Sequence, residues 1–151
     1  MKILLPFDGS AQAVEAVRFV IRMADSGLET QVVLANVQEP ASLYELMVAH
    51  DPLVIEQVSA RAGANTLQVA QALLELAELS YESEVVSGDP AHTLVDILEN
   101  YGCDLVVMGA SGTSALRSAL LGSVSNEVLH AAGVPVMIVK GSESGDADAA
   151  E

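Results

Sequence analysis

One cysteine, no tryptophan and only six lysines and arginines stand out in this sequence of 151 residues. Cys103 alone excludes an intramolecular disulfide and a cysteine-cluster zinc site, so a reducing compartment suits the chain. Aromatic residues at 3% leave no stacking platform for single-stranded nucleic acid. The six bases face 21 acids, giving a net charge of −15 and a pI near 4.2, and such a surface repels the phosphates a duplex-binding protein must meet with lysine and arginine. No apolar run approaches the ~18 residues of a membrane span. Lys2 is followed by a short apolar stretch that ends at Pro6 and Asp8, unlike a signal peptide. His50, His92 and His130 are scattered without metal-ligand spacing, and no residue set marks a metal site. The absences together predict a cytoplasmic protein with neither a nucleic-acid nor a membrane partner.

What is present is apolar and regularly punctuated. Hydrophobic residues make up 51% and charged residues 18%, a profile of a folded chain. At ~150 residues per domain the length predicts one domain. Its expected extent is residues 1–140, followed by an acidic, disordered tail over 141–151 that carries Glu143, Asp146, Asp148 and Glu151.

Lys2-Ile-Leu-Leu-Pro-Phe7 reads as a buried strand ending at the turn Asp8-Gly9-Ser10. From Ser10 to about Ala24, Val14, Val17, Val20, Ile21 and Ala24 recur at helical spacing, and Ser26-Gly27 stops the helix. Thr30 to Val37 is a second strand. Asp51 as cap and Pro52 as first residue open a long helix to about Glu78, in which Gly63 costs ~1 kcal/mol relative to alanine. Tyr81 to Val86 is a third strand, and Asp89-Pro90 opens a helix that Tyr101-Gly102 ends. Asp104 to Gly109 is a fourth, continuously apolar strand, typical of the middle of a parallel sheet. A segment rich in Gly, Ser, Ala and Leu (Ala110 to Leu121) precedes a helix from near Ser123 to Gly133, and Pro135 to Lys140 is the fifth strand. Alternation of this kind predicts an α/β fold, an open, doubly wound, five-stranded parallel sheet with helices on both faces. Ligands of such sheets bind at the carboxyl ends of strands where the winding reverses, which directs attention to the turns at Asp8 and Gly109.

The second turn carries the most informative spacing. Gly109 and Gly112 flank a sharp exit from the sheet, where a missing Cβ lets backbone N–H groups approach a ligand. Nine residues later Gly122-Ser123 opens a helix, so unpaired amides, the positive end of the helix dipole and a hydroxyl converge. That is an anion site built without net positive charge.

The spacing G-x2-G-x9-G-[ST] resembles the ATP-binding motif of the universal stress protein family. The remaining segments agree in order: ILLPFDGS at the start, LANVQEP at 34–40, VVSGDPAHTLVDILENYGCDLVVMGASG at 85–112 and GSVSNEVLHAAGVPVMIVK at 122–140. The resemblance spans Lys2 to Lys140 apart from the variable stretch around 41–78. It implies a Rossmann-like, dimeric, adenine-nucleotide-binding regulatory protein of the stress response. Pro6, Phe7 and Asp8 would contact adenine and ribose, with backbone groups beside Phe7 reading the base and the Asp8 carboxylate accepting a hydrogen bond. Val37 would line the adenine pocket, and Met108 and Gly109 would border the ribose. Gly112 would face the ribose or the α-phosphate, and Gly122, Ser123, Val124 and Ser125 would hold the phosphates. The family's last strand, here Val136–Val139, would pair across a two-fold axis to form a homodimer.

One departure matters. The loop after the second glycine is basic in many nucleotide-binding relatives, whereas TSALRSALL supplies only Arg117, which serves equally as a phosphate contact or a solvated charge. ATP would then lean on Mg²⁺ or Mn²⁺ carried by its own phosphates, or the preference would tilt to AMP or ADP. Plainer roles exist beside the ligand ones: Asp8 as a turn former, Ser123 as a helix N-cap. No histidine or lysine stands in the motif as acid or base, so at most slow ATP hydrolysis or autophosphorylation is implied. The alternative is a dimeric adaptor of the same fold that binds no nucleotide. A response-regulator receiver is excluded, because the first turn offers Asp8 alone and the third strand ends in Val85-Val86-Ser87-Gly88 without a phosphorylatable aspartate.

Overall fold

Strand β1 (Lys2–Pro6) runs through the middle of a five-stranded sheet, in the order β3-β2-β1-β4-β5, and every neighbouring pair is parallel. The other strands are β2 (Gln31–Gln38), β3 (Ser80–Ser87), β4 (Leu105–Gly109) and β5 (Val136–Val139). Among the described residues four helices connect them: α1 (Ala11–Asp25), α2 (Pro52–Leu76), α3 (Pro90–Tyr101) and α4 (Ser123–Ala131). The computed structural model describes residues 1–40, 47, 51–110 and 121–141. Gly112, Arg117 and the tail beyond Gly141 lie outside the described residues.

The central strands are apolar along their whole length because both faces are covered. Alternation along β1 divides its side chains between two cores. Ile3, Leu5 and Phe7 join Val32, Leu34, Leu105 and Val107 under α1 and α2. Leu4 joins Val33, Ala35, Val106 and Met108 under α3 and α4. The expected doubly wound α/β architecture is therefore the observed one. No helix among the described residues is long and apolar enough to cross a membrane.

The caps expected at Asp51 and Asp89 form, and Ser10 caps α1. Ser10 Oγ accepts from the Ala13 amide at 3.1 Å, Asp51 Oδ1 from Leu53 at 3.0 Å and Asp89 Oδ2 from His92 at 3.1 Å, with Pro52 and Pro90 opening their helices. Several element boundaries shift by one or two residues from expectation, and two of the shifts have a visible cause. α2 stops at Leu76, two residues short of Glu78, which adopts a left-handed backbone at φ 59° and turns the chain into β3. β3 in turn spans Ser80–Ser87 because its pairing with β2 is unbroken from Gln31 and Ser80 to Gln38 and Ser87.

Gly63 has a reason that the sequence hides. A Cβ there would stand 2.4 Å from Val85 Cγ1 and 2.8 Å from Asn36 Oδ1, so the glycine lets α2 press onto β2 and β3. Cys103 is buried as expected of a small core residue, and burial pushes its thiol pKa up. Lys2, remote in sequence, lies near enough to oppose that rise in part, while Asp104 adds to it.

Candidate functional site

The winding reverses between β1 and β4, and there the sheet opens. β1 stays in register with β2 as far as Pro6 and Ala35, and the Phe7 amide prolongs the pairing by donating to the Ala35 carbonyl at 2.8 Å. Toward β4, its paired residues are only Ile3 with Leu105 and Leu4 with Val106. The carboxyl ends of β1 and β4 thus part, leaving the crevice such topology provides for a ligand.

Two helix N-termini converge on the far wall. Gly109 abuts the first turn of α1 so closely that a Cβ would meet the Gln12 backbone at 3.0 Å. The first turn of α4 docks on the same residue, with Ser125 Oγ donating to the Gly109 carbonyl at 2.8 Å. The Ala110 amide donates to the Val139 carbonyl at 3.0 Å and the Gly122 amide donates to the Ala110 carbonyl at 2.8 Å, which brings the end of β4 and the start of α4 together. Neither α1 nor α4 carries an acid in its first turn. In a chain of net charge −15 the start of α4 holds the positive end of its helix dipole without an acid at the cap or in the first turn, whereas the Asp8 carboxylate stands beside the start of α1.

The two N-termini are finished differently. α1 is capped by Ser10, itself held by a hydrogen bond from its amide to Asp8 Oδ1 at 2.9 Å. At α4 the capping position belongs to Gly122, which has no side-chain cap, and Ser123 is the first helical residue. The plainer reading of Ser123 as N-cap is thereby corrected: Gly122 takes that place, with extended backbone at φ −63° and ψ 161°. The helix geometry leaves the amides of its first turn without intrahelical acceptors. Ser123 beside them is exposed, and Val124 is half-buried against the core under α3 and α4.

The other expected contacts sort by what they face. Half-buried Pro6, exposed Asp8 and half-buried Val37 and Gly109 end strands at the opening. Phe7 points the other way: its side chain is 3% exposed in the core under α1, its amide is taken by Ala35, and its carbonyl accepts from Asn36 Nδ2 at 2.9 Å. Met108 is buried on the α3 and α4 face. Ser125, 4% exposed, turns its hydroxyl to Gly109 and serves as a clasp between α4 and β4. Pro6, Asp8, Val37 and Gly109 thus lie at or near the carboxyl ends of β1, β2 and β4 and Gly122, Ser123 and Val124 at the start of α4, with Val37 and Val124 packed in part against the core under α3 and α4, while Phe7, Met108 and Ser125 are buried.

Two supporting residues escaped the sequence reading. Asn36, 4% exposed, ties the end of β2 to the Phe7 carbonyl and accepts from Gln38 Nε2 at 2.6 Å. Its signal was available: a polar side chain inside the apolar run VVLANV must find partners when buried. Gln12 had no such signal, since its contact with Gly109 depends on how α1 crosses β4. Among the described residues, no group of three or more His, Cys, Asp or Glu could hold a metal ion.

Known proteins share this sequence and fold. A sequence model of the universal stress protein family matches residues 1–140. Universal stress protein MJ0531 of Methanocaldococcus jannaschii is 30% identical over 139 residues, covering 92% of this chain and 81% of that protein. A universal stress protein of Mycolicibacterium smegmatis is 34% identical over 148 residues, covering 93% of this chain but 48% of that protein, so the chain spans about half its length. Among solved structures, MJ0577 aligns with a TM-score of 0.80 at 27% identity, over 95% of this chain and 97% of its own. A universal stress protein in complex with cAMP aligns at 0.71 and 24% identity, over 94% and 98% of the two chains. A family protein of Arabidopsis thaliana with AMP bound aligns at 0.65 and 16%, over 94% and 92%. The last two likenesses speak for the fold.

Proposed function

The chain belongs to the universal stress protein family, and from that membership and the geometry of its crevice we propose that it is an adenine-nucleotide-binding regulatory protein of the stress response. One observation carries the reading: an uncapped helix N-terminus is clasped by Ser125 to the end of β4, where β1 and β4 diverge. Main-chain amides and the helix dipole attract phosphate there without cations, which a chain of net charge −15 has few of to offer. Two proteins of the same fold hold cAMP and AMP, which supports an adenine nucleotide as the class of ligand.

In this reading Pro6, Asp8 and Val37 border the base and ribose, Gly109 and Gly112 follow the sugar toward the phosphates, and Gly122, Ser123 and Val124 receive them, while Arg117 serves equally as a phosphate contact or a solvated charge. Phe7 and Ser125 act by positioning, through Asn36 and Gly109 respectively. ATP brings Mg²⁺ or Mn²⁺ on its own phosphates, and AMP or ADP binds without one. Chemistry beyond slow hydrolysis finds no acid or base in the motif. The protein works as a homodimer through Val136–Val139, in the cytoplasm.

Calorimetric titration of the purified protein with ATP, ADP and AMP tests this reading. The expected outcome is binding of at least one adenylate, with ATP bound several-fold more tightly when Mg²⁺ is present. Tight ATP binding that ignores Mg²⁺ contradicts the dependence on a metal. Absence of binding by all three overturns the nucleotide reading and favours the adaptor.

A further inference from the structure

Helix α2 is apolar on two sides, and among the described residues only one of them is covered. Gly63, Leu67, Ala70 and Leu74 face the sheet and are buried. At 100° per residue their stripe is narrow, and a second stripe lies about 130° around the helix. It consists of Ile55, Val58, Ala62, Asn65, Val69, Ala72 and Leu76, at spacings that alternate three and four residues over the length of the helix. All but half-buried Ile55 are exposed, with Val58 at 63%, Val69 at 55% and Leu76 at 83%. Isolated exposed apolar residues need no explanation, but a sustained heptad seam packs against another helix.

The charges beside the seam identify that helix. On its β3 side the flanking residues are Arg61, Gln68 and Glu75, and Glu75 is steadied by a hydrogen bond from the Tyr81 hydroxyl to its Oε1. Align α2 antiparallel with a second α2, with Val58 against the partner's Leu76. Ala62 then meets the partner's Ala72, and Asn65 the partner's Val69, with the same layers repeated across the two-fold axis. In this register Arg61 falls opposite the partner's Glu75, Glu75 opposite the partner's Arg61, and Gln68 opposite the partner's Gln68 on the axis. A parallel register offers no opposite charge to Arg61, which would face the partner's Thr66. The alanine layers let the helices approach closely, to ~8 Å between axes. An anionic membrane, the other common occupant of an apolar helix face, wants several flanking cations, and a chain of net charge −15 is repelled by it.

We infer that the outer face of α2 is a self-association surface, in which two chains pair antiparallel through the Ile55–Leu76 seam. It is independent of the nucleotide reading and of the β5 edge, because α2 covers β2 and β3 at the other side of the sheet. Two isologous contacts on one chain, each with its own two-fold, build a species larger than a dimer.

Sedimentation velocity and cysteine cross-linking test the inference on the full chain. Leu76→Glu alters an exposed residue and is expected to weaken the α2-dependent association at least ten-fold, halving the assembled mass. Gln68→Cys is expected to give a disulfide-linked dimer on mild oxidation, while the wild-type chain, whose one cysteine is buried, gives none. Arg61→Glu is expected to weaken association several-fold at low salt, and Arg61→Glu combined with Glu75→Arg to restore it. A mass distribution unchanged by Leu76→Glu, with no cross-link from Gln68→Cys, overturns the proposal. Failure of the charge exchange to restore association overturns the antiparallel register, as does a cross-link formed only with an unrelated protein or seam-dependent binding to anionic vesicles in place of pairing.

Discussion

Gly63 shows how propensity misleads when a residue's neighbours come from other elements. In an isolated helix, alanine in place of glycine is worth ~1 kcal/mol of stability. Here the added Cβ would meet Val85 Cγ1 at 2.4 Å, and the overlap falls on a β-branched side chain in a strand. Overpacking of this kind costs about 1–3 kcal/mol, more than the helix gains. Gly63→Ala is therefore expected to lower the urea midpoint, and a raised midpoint would show that α2 simply lifts away. Cys103 is the other residue whose behaviour the fold sets. Its thiol pKa is raised above the ordinary 9.0, chiefly by burial. The unfolded chain gives up that proton first, so the thiol's contribution to stability is intact below about pH 9 and is lost as pH rises through the folded value. Native protein at pH 8 is accordingly expected to react with an aromatic disulfide reagent far more slowly than denatured protein, and equal rates would contradict the burial.

At the scale of elements, α4 matters most because its N-terminus is bare. Aspartate is among the best N-cap residues, and the Gly122 backbone, at φ −63° and ψ 161°, suits any L-residue. Gly122→Asp therefore supplies the missing cap while placing a carboxylate where phosphate should sit. Stability is expected to hold or rise by up to ~1 kcal/mol, while adenylate affinity falls at least ten-fold in calorimetry. Affinity that survives would place the phosphates elsewhere. Loss of both together would mean only that α4 had been disrupted.

For the whole molecule, the sheet edge that decides assembly is β5, the last strand in the order β3-β2-β1-β4-β5. The carbonyls of Pro135 and Val139 accept from Val106 and Ala110 on the β4 side, so by alternation Val136 and Ile138 turn their backbone groups outward. An unprotected apolar edge invites a second chain. Ile138→Pro removes an outward N–H while leaving the inward bonds in place, and it is expected to halve the mass seen by sedimentation. An unchanged mass would exclude pairing through β5. Combined with Leu76→Glu it is expected to yield a monomer, since the two contacts lie on opposite sides of the sheet.

Much of this architecture was legible in the chain because its signals are local. Alternating apolar runs, Asp-Pro and Ser caps and glycine stops depend on neighbours within a few residues, and β1 to β5 and α1 to α4 follow from them. The Gly109 and Gly122-Ser123 spacing likewise marked the end of β4 and the start of α4, since helix starts and strand exits are local events. Tertiary structure alone decided what faces what. The Phe7 side chain is core because strand alternation sends it under α1. The Ser125 hydroxyl is a clasp because the third residue of α4 turns back onto β4. Asn36, Gln12 and the heptad seam of α2 gained their meaning only when distant segments met, for a side chain's partners are set by packing and not by its position along the chain.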